Sequence, residues 1–228
     1  MEKRPKKALA RTLDWGSTWI KIGLTAVLFL PPLLAVKYGA PQAVESGAVQ
    51  AATRVDEPQP KQLVKIFSIV KSNRPRLADK EAWKISTTIL DESAKRDVDP
   101  MLVLAVIKVE SGFRNQALSP MGARGIMQIM PETGKYLSAE LYRVDGFETP
   151  TFKPHHLDDP EVNIKLGVYY LDGLKKQFRT LNLALLAYNF GPGEIQNRLE
   201  NNIDLSDGYA ALVLTAYREY KKVRTPAF

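Results

Sequence analysis

The sequence predicts an all-α domain, and three observations carry that expectation. From Lys61 onward apolar residues recur at three- and four-residue spacing, and an Asp-Pro pair twice opens such a run. No stretch alternates apolar and polar residues for long enough to make a half-buried strand. At 228 residues the chain has room for one ordinary domain with appendages, and not for two large ones.

The chain divides into four parts. Residues 1–21 are a basic tip expected to stay in the cytoplasm. Residues 1–55 hold eight basic residues against three acidic ones, so most of the formal net charge of +7 sits there and the body is close to neutral. Charge gathered at one end is a topology signal. A nucleic-acid surface would instead need basic residues interleaved with aromatics on one face of the body, so no nucleic-acid partner is expected.

Residues 22–38 are expected to be a signal anchor or a signal-peptide segment. The run IGLTAVLFLPPLLAV, residues 22–36, holds fifteen residues without a charge and is flanked by Trp15, Trp19 and Tyr38. A spanning helix needs roughly 20 apolar residues and a signal-peptide core roughly 7 to 15, so length favours a cleaved signal. The long basic lead and the flanking aromatics favour a retained anchor. Cleavage would have to use small residues near Ala48 or Ala51. Pro31-Pro32 argues against a core helix. Either membrane reading exports the body, to the periplasmic side of the cytoplasmic membrane if anchored, or to the periplasm or beyond if cleaved.

Residues 39–60, rich in Ala, Gln, Val, Glu and Pro without a sustained period, are expected to be a linker. Residues 61–228 are the helical domain. Asp79 is placed to cap a helix whose Ala82, Ile85 and Ile89 share a face. Asp99-Pro100 and Asp159-Pro160 each put a capping carboxylate before a proline at the first helical position. After the second pair, Ile164, Gly167, Leu171, Leu174 and Phe178 keep helical spacing. Gly191 closes the next helix, and residues 209–223 make the last.

The chain has no cysteine, which excludes disulfides, cysteine-ligated metals and a cysteine nucleophile. The adjacent pair His155-His156 lacks the spacing of a metal site. Met121, Met127 and Met130 are expected to be packing residues. No metal or cofactor is expected.

Glu110 is the residue that needs explaining. Val103, Val106 and Ile107 lie seven, four and three positions before it, so its carboxyl shares their apolar stripe. Desolvation and the negative end of the helix both disfavour the ionised form and push its pKa up. A carboxylic acid protonated near neutral pH can give a proton to a leaving group and take one back. Periodicity alone leaves an alternative, a glutamate that reaches solvent or pairs with Lys108 or Arg114.

Three segments resemble a known family. ESGF at 110–113, SPMGARGIMQIMP at 119–131 and AYNFGPG at 187–193 look, in order and spacing, like the signatures of the soluble lytic transglycosylases, whose catalytic domain is related to goose-type lysozyme. The resemblance covers roughly residues 85–200. It implies that Glu110 is the single catalytic acid/base, that Ser119 approaches the substrate, that Gln128 lines the cleft, and that Tyr188 stands close to the acid with Asn189 following. DPEVNIKLGVYYL at 159–171 looks like the supporting helix of the cleft wall. Two departures are Phe190, where alanine is usual, and Gln116 after Asn115, where proline is common. Both bear on loop shape and cleft width.

The residue types suit a sugar cleft. Gly122, Gly125, Gly191 and Gly193 let backbone approach a bulky chain. Tyr188 offers a hydroxyl and a ring, and Gln128 and Asn189 can bond sugar hydroxyls or N-acetyl groups. No second acid stands in the motifs, whereas ordinary glycosidases use two. The resemblance implies peptidoglycan glycan strands as substrate and cleavage of the MurNAc-GlcNAc bond with 1,6-anhydro ends. The alternatives are a hydrolytic muramidase and an inert glycan-binding module of an envelope assembly.

Overall fold

A computed structural model describes residues 59–147 and 151–225. The basic tip, the 22–38 segment and residues 39–58 of the linker lie outside the described residues. Among the described residues there are eight α-helices, one 3₁₀ helix and no strand, as expected for an all-α domain. The α-helices are α1 (Gln59–Asn73), α2 (Asp79–Arg96), α3 (Pro100–Ser111), α4 (Pro131–Asp145), α5 (Pro160–Phe178), α6 (Leu181–Phe190), α7 (Pro192–Glu200) and α8 (Gly208–Lys222), and the 3₁₀ helix is Pro154–Asp158. Extended backbone pairs among them only as isolated bridges, Leu118 with Arg124 and Arg124 with Ile129.

The centre of the domain is α3. The Asp99 carboxylate accepts the Met101 amide at 2.8 Å and Pro100 takes the first helical position. A cap of this kind stabilises a helix by about 1 kcal/mol. The sequence predicts one apolar stripe on this helix, but every residue from Pro100 to Ile107 is buried, because α1, α2 and α8 pack around it. A helix apolar on all sides belongs in the interior. At the other end Gly112 (φ +58°) and Phe113 (φ +65°) take left-handed conformations that stop the helix and turn the chain. Arg74 of the α1–α2 connection donates to the Phe113 carbonyl at 2.8 Å and holds that turn.

α8 runs antiparallel along α3. Near its end Tyr217 and Lys221 donate to the second oxygen of Asp99 at 2.7 and 2.9 Å. Burial would raise the Asp99 pKa, but the bonds from Lys221, Tyr217 and the Met101 amide together hold it below the usual value. Its start therefore lies beside the end of α3, where Glu110 is. α5 begins as expected, with Asp159 accepting the Glu161 and Val162 amides at 2.8 and 3.4 Å. It packs against α2, α4, α6 and the 3₁₀ helix.

Two boundary expectations are corrected. Asp79 makes no capping bond; it is the first residue of α2, after Ala78, and its carboxylate pairs with Lys71 of α1 at 2.7 Å. An acid in the first turn is already favoured by the helix dipole, and the nearby lysine competes for it. The helical domain also starts two residues inside the expected linker, at Gln59.

Candidate active site

Glu110 stands in the last turn of α3. The Tyr209 hydroxyl, from the first turn of α8, donates to its carboxylate at 2.5 Å. Burial pushes the Glu110 carboxyl up to about 7, and the Tyr209 bond pulls it the other way. The residue as a whole is only half-buried, so a desolvated carboxyl coexists with a route to solvent. A group on the floor of an opening has both properties. The basic neighbours do not neutralise it. Lys108 turns to the Asn73 side chain of α1 at 2.8 Å, and Arg114 donates to the Ser111 carbonyl at 2.9 Å.

Tyr188 of α6 is 8% exposed and its hydroxyl donates to the Met127 carbonyl at 2.9 Å. Its pKa lies well above the usual value, through burial first and then the nearby charge of Glu110 and the Tyr170 hydroxyl. The Tyr170 and Tyr188 rings are 5.3 Å apart. The two tyrosines near the acid thus differ: the Tyr209 hydroxyl donates a hydrogen bond to Glu110, and the Tyr188 hydroxyl donates one to the Met127 carbonyl.

Ser119 shapes a tight turn. Its hydroxyl accepts the Ala123 amide at 2.9 Å, its own amide donates to the Ala123 carbonyl at 2.9 Å, and Gly122 donates to its carbonyl at 2.9 Å. This turn projects Met121 outward, 58% exposed, which corrects its assignment as a packing residue; Met127 is fully buried as expected. Gln128 takes a left-handed conformation (φ +51°), and its side-chain nitrogen donates to the Ala117 and Gly125 carbonyls at 3.0 and 2.9 Å. Both amide protons hold the loop, so only its side-chain oxygen is left for a ligand.

The structure therefore places Tyr188 where the charge of Glu110 acts on it, and Tyr188 bonds to Met127, the neighbour of Gln128. Ser119 and the half-buried Asn189 make no hydrogen bond to Glu110 among the described residues. Of the departures from the family pattern, Phe190 packs partly buried against the core, and Gln116 is exposed, next to Asn115, which donates to Glu81 of α2.

Two residues escaped the sequence reading. Tyr209 shows in sequence only as the start of a helix, 99 positions from Glu110. Asn163 lies inside the segment read as a supporting helix, but an asparagine there carries no periodic signal. It is fully buried and bonded to three backbone groups, two in the 119–130 loop and one in the 3₁₀ helix.

Of the acids in residues 143–160, three are engaged elsewhere. Asp145 pairs with Arg96, Asp158 with Arg124 at 2.6 Å, and Asp159 caps α5, while Glu148 lies outside the described residues. His156 accepts the Lys153 amide at 3.3 Å and so shapes the 3₁₀ helix. An open recess of about 630 Å³ is lined by Arg74, Glu81, Arg114, Asn115 and their neighbours, and none of Glu110, Ser119, Gln128 or Tyr188 borders it.

The sequence and the all-helical fold match a known group of proteins. The family model "Transglycosylase SLT domain" matches residues 87–209, and the chain belongs to that family. Among curated proteins, the soluble lytic murein transglycosylase of Escherichia coli K12 is 32% identical over 116 residues, 50% of this chain and 17% of that protein. The membrane-bound lytic murein transglycosylase C of Shigella sonnei is 30% identical over 145 residues, 60% of this chain and 39% of that protein. Among solved structures, an inactive mutant of the lytic transglycosylase Slt of Pseudomonas aeruginosa superposes with a TM-score of 0.52 at 30% identity, covering 60% of this chain and 24% of that one. The 70 kDa soluble lytic transglycosylase of Escherichia coli gives 0.52 at 25% identity, covering 73% and 31%. The chain thus spans well under half the length of the relatives it matches.

Proposed function

We propose that the protein is a peptidoglycan lytic transglycosylase in which Glu110 works alone as acid and then base. The relatives named above are lytic murein transglycosylases, and the observation that carries the residue assignment is the desolvated Glu110 carboxyl, raised to about 7. At neutral pH a large share of molecules then hold a proton that can be given to the bridging oxygen between MurNAc and GlcNAc.

As that proton arrives, the bond from C1 to the bridging oxygen breaks and GlcNAc leaves with a free 4-hydroxyl. The N-acetyl oxygen of MurNAc supports the cation at C1. The MurNAc 6-hydroxyl then attacks C1, and its proton returns to the Glu110 carboxylate, which restores the enzyme. No water is consumed, and the product carries a 1,6-anhydro bridge. The engagement of Asp145, Asp158 and Asp159 in other roles supports a one-acid scheme.

In this reading Ser119, Gln128, Tyr188 and Asn189 contact the glycan. Residues 22–38 hold the chain at the cytoplasmic membrane or direct its export, 39–60 are a spacer, and 61–228 act on the cell wall from the periplasmic side. The test is to digest purified sacculi and weigh the released muropeptides. Anhydro-MurNAc ends are expected. Reducing MurNAc ends, heavier by one water, overturn the scheme in favour of a muramidase, and no release at all from the wild-type protein identifies a glycan-binding module.

A further inference from the structure

Met127 is held on both sides of its backbone. Its amide donates to the Asn163 side-chain oxygen at 2.7 Å, and its carbonyl accepts the Tyr188 hydroxyl at 2.9 Å. The Asn163 nitrogen spends both protons in the same place, on the Arg124 and Leu157 carbonyls at 2.9 Å each. Asn163 is fully buried, and every hydrogen-bonding position it uses is filled by backbone of the loop or of the 3₁₀ helix.

One turn further along α5, Gly167 leaves room for the Met127 side chain: a Cβ there would lie 2.4 Å from the sulfur. One turn further again, the Tyr170 ring lies against the Tyr188 ring. Asn163, Gly167 and Tyr170 stand at i, i+4 and i+7, so a single stripe of α5 fixes the peptide, the side chain and the tyrosine ring together. Gly125 closes the arrangement from the loop side, because a Cβ there would sit 2.1 Å from the Asn163 nitrogen and the Leu157 carbonyl.

A tyrosine hydroxyl has one proton to donate. While the Met127 carbonyl takes it, Tyr188 presents only lone pairs to its surroundings, although it stands near enough for the charge of Glu110 to act on it. We propose that Asn163 and Gly167 form a positioning socket for Met127, which keeps the Tyr188 proton off Glu110 and leaves Tyr209 as its hydroxyl donor. The socket thereby decides how readily the acid keeps its proton. This rests on the reading of Glu110 as the acid, but its test does not depend on activity.

The groups facing Glu110 are Tyr209 from α8 and Tyr188 from α6, with Tyr170 of α5 behind the latter; Lys108 on its own helix points to Asn73. The experiment follows the Glu110 side-chain carboxyl directly by carbon NMR during a pH titration of the protein labelled at that carbon. The proteins compared are the wild type, Tyr209→Phe, Tyr188→Phe, Asn163→Ala and the double variant Asn163→Ala/Tyr188→Phe.

Tyr209→Phe should raise the Glu110 pKa, and Tyr188→Phe should leave it near the wild-type value. Asn163→Ala frees the Met127 peptide and lets Tyr188 turn to the carboxylate, which should lower the pKa by about one unit, the size of one hydrogen bond to a charged group. Removing the Tyr188 hydroxyl in that background should restore it. A folded Asn163→Ala protein with an unmoved Glu110 pKa overturns the proposal. So does a Tyr188→Phe shift as large as that of Tyr209→Phe, a comparison that stands even if Asn163→Ala does not fold. If Glu110→Gln still lyses sacculi, the catalytic reading fails while the titration results keep their meaning.

Discussion

Replacing Glu110 by glutamine should remove activity and add stability, with the gain confined to one side of a pH window. The amide has nearly the shape of the acid and can still accept the Tyr209 hydroxyl, but it cannot ionise. In the folded protein the carboxyl is raised from its ordinary 4.5 to about 7. Between those two values the folded state binds more protons than the unfolded state, so the wild-type domain loses stability as pH rises from about 4.5 to about 7 and stays at the lower level above it.

At about 1.4 kcal/mol per pKa unit the full shift corresponds to about 3.5 kcal/mol, and partial solvent access to the half-buried residue reduces this to about 1–3 kcal/mol. The glutamine variant should therefore be more stable than the wild type by about 1–3 kcal/mol at pH 8. For a domain of this size that is roughly 3–10 °C in Tm. At pH 4 the two should nearly coincide. Calorimetric melts of the protein at the two pH values measure the difference, and sacculus turbidity measures lysis, expected to fall about 10²–10⁴-fold. Equal stability differences at both pH values, or no gain at pH 8, would show that the carboxyl is not desolvated in the folded protein.

Other perturbations probe the framework. Lysis in the wild type should decline about tenfold per pH unit above about 7, as Glu110 loses its proton, which a pH profile of kcat/KM at low substrate would reveal. Asp99→Ala removes the α3 cap together with the Tyr217 and Lys221 bonds, and should cost about 2–3 kcal/mol at pH 7 in urea denaturation. Because the Asp99 pKa is lowered by folding, its contribution is present above the ordinary value of 3.8 and lost as pH falls below it, so the penalty should shrink at pH 3. Gly125→Ala puts a Cβ against the Leu157 carbonyl at a residue with φ +80°, and should destabilise the domain by about 3 kcal/mol or more, seen as a fall in the urea midpoint.

Much of the frame was legible in the residues alone. Asp99-Pro100 and Asp159-Pro160 start α3 and α5 as read, because a capping carboxylate and a proline act within one turn and need nothing from the rest of the fold. Gly191 ends α6 for a similarly local reason. The desolvation of Glu110 was legible too, since its spacing from Val103, Val106 and Ile107 puts it among apolar side chains. Asp79 misled because a carboxylate at a helix start has two uses, and the choice was made by Lys71 on another helix.

The sequence by itself determined the helical class, the two strong helix starts and an acid set in an apolar environment, all consequences of interactions within a few residues. Only the tertiary structure decided what surrounds that acid. Tyr209 reaches it because α8 lies antiparallel to α3 and is fastened at the far end by Asp99, and the Tyr188 proton is turned to Met127 by Asn163 on a third helix. These partners are separated by tens of residues in the chain, and hydrogen bonds at that separation leave no periodic trace. They exist because packed helices put particular polar atoms within about 3 Å of each other.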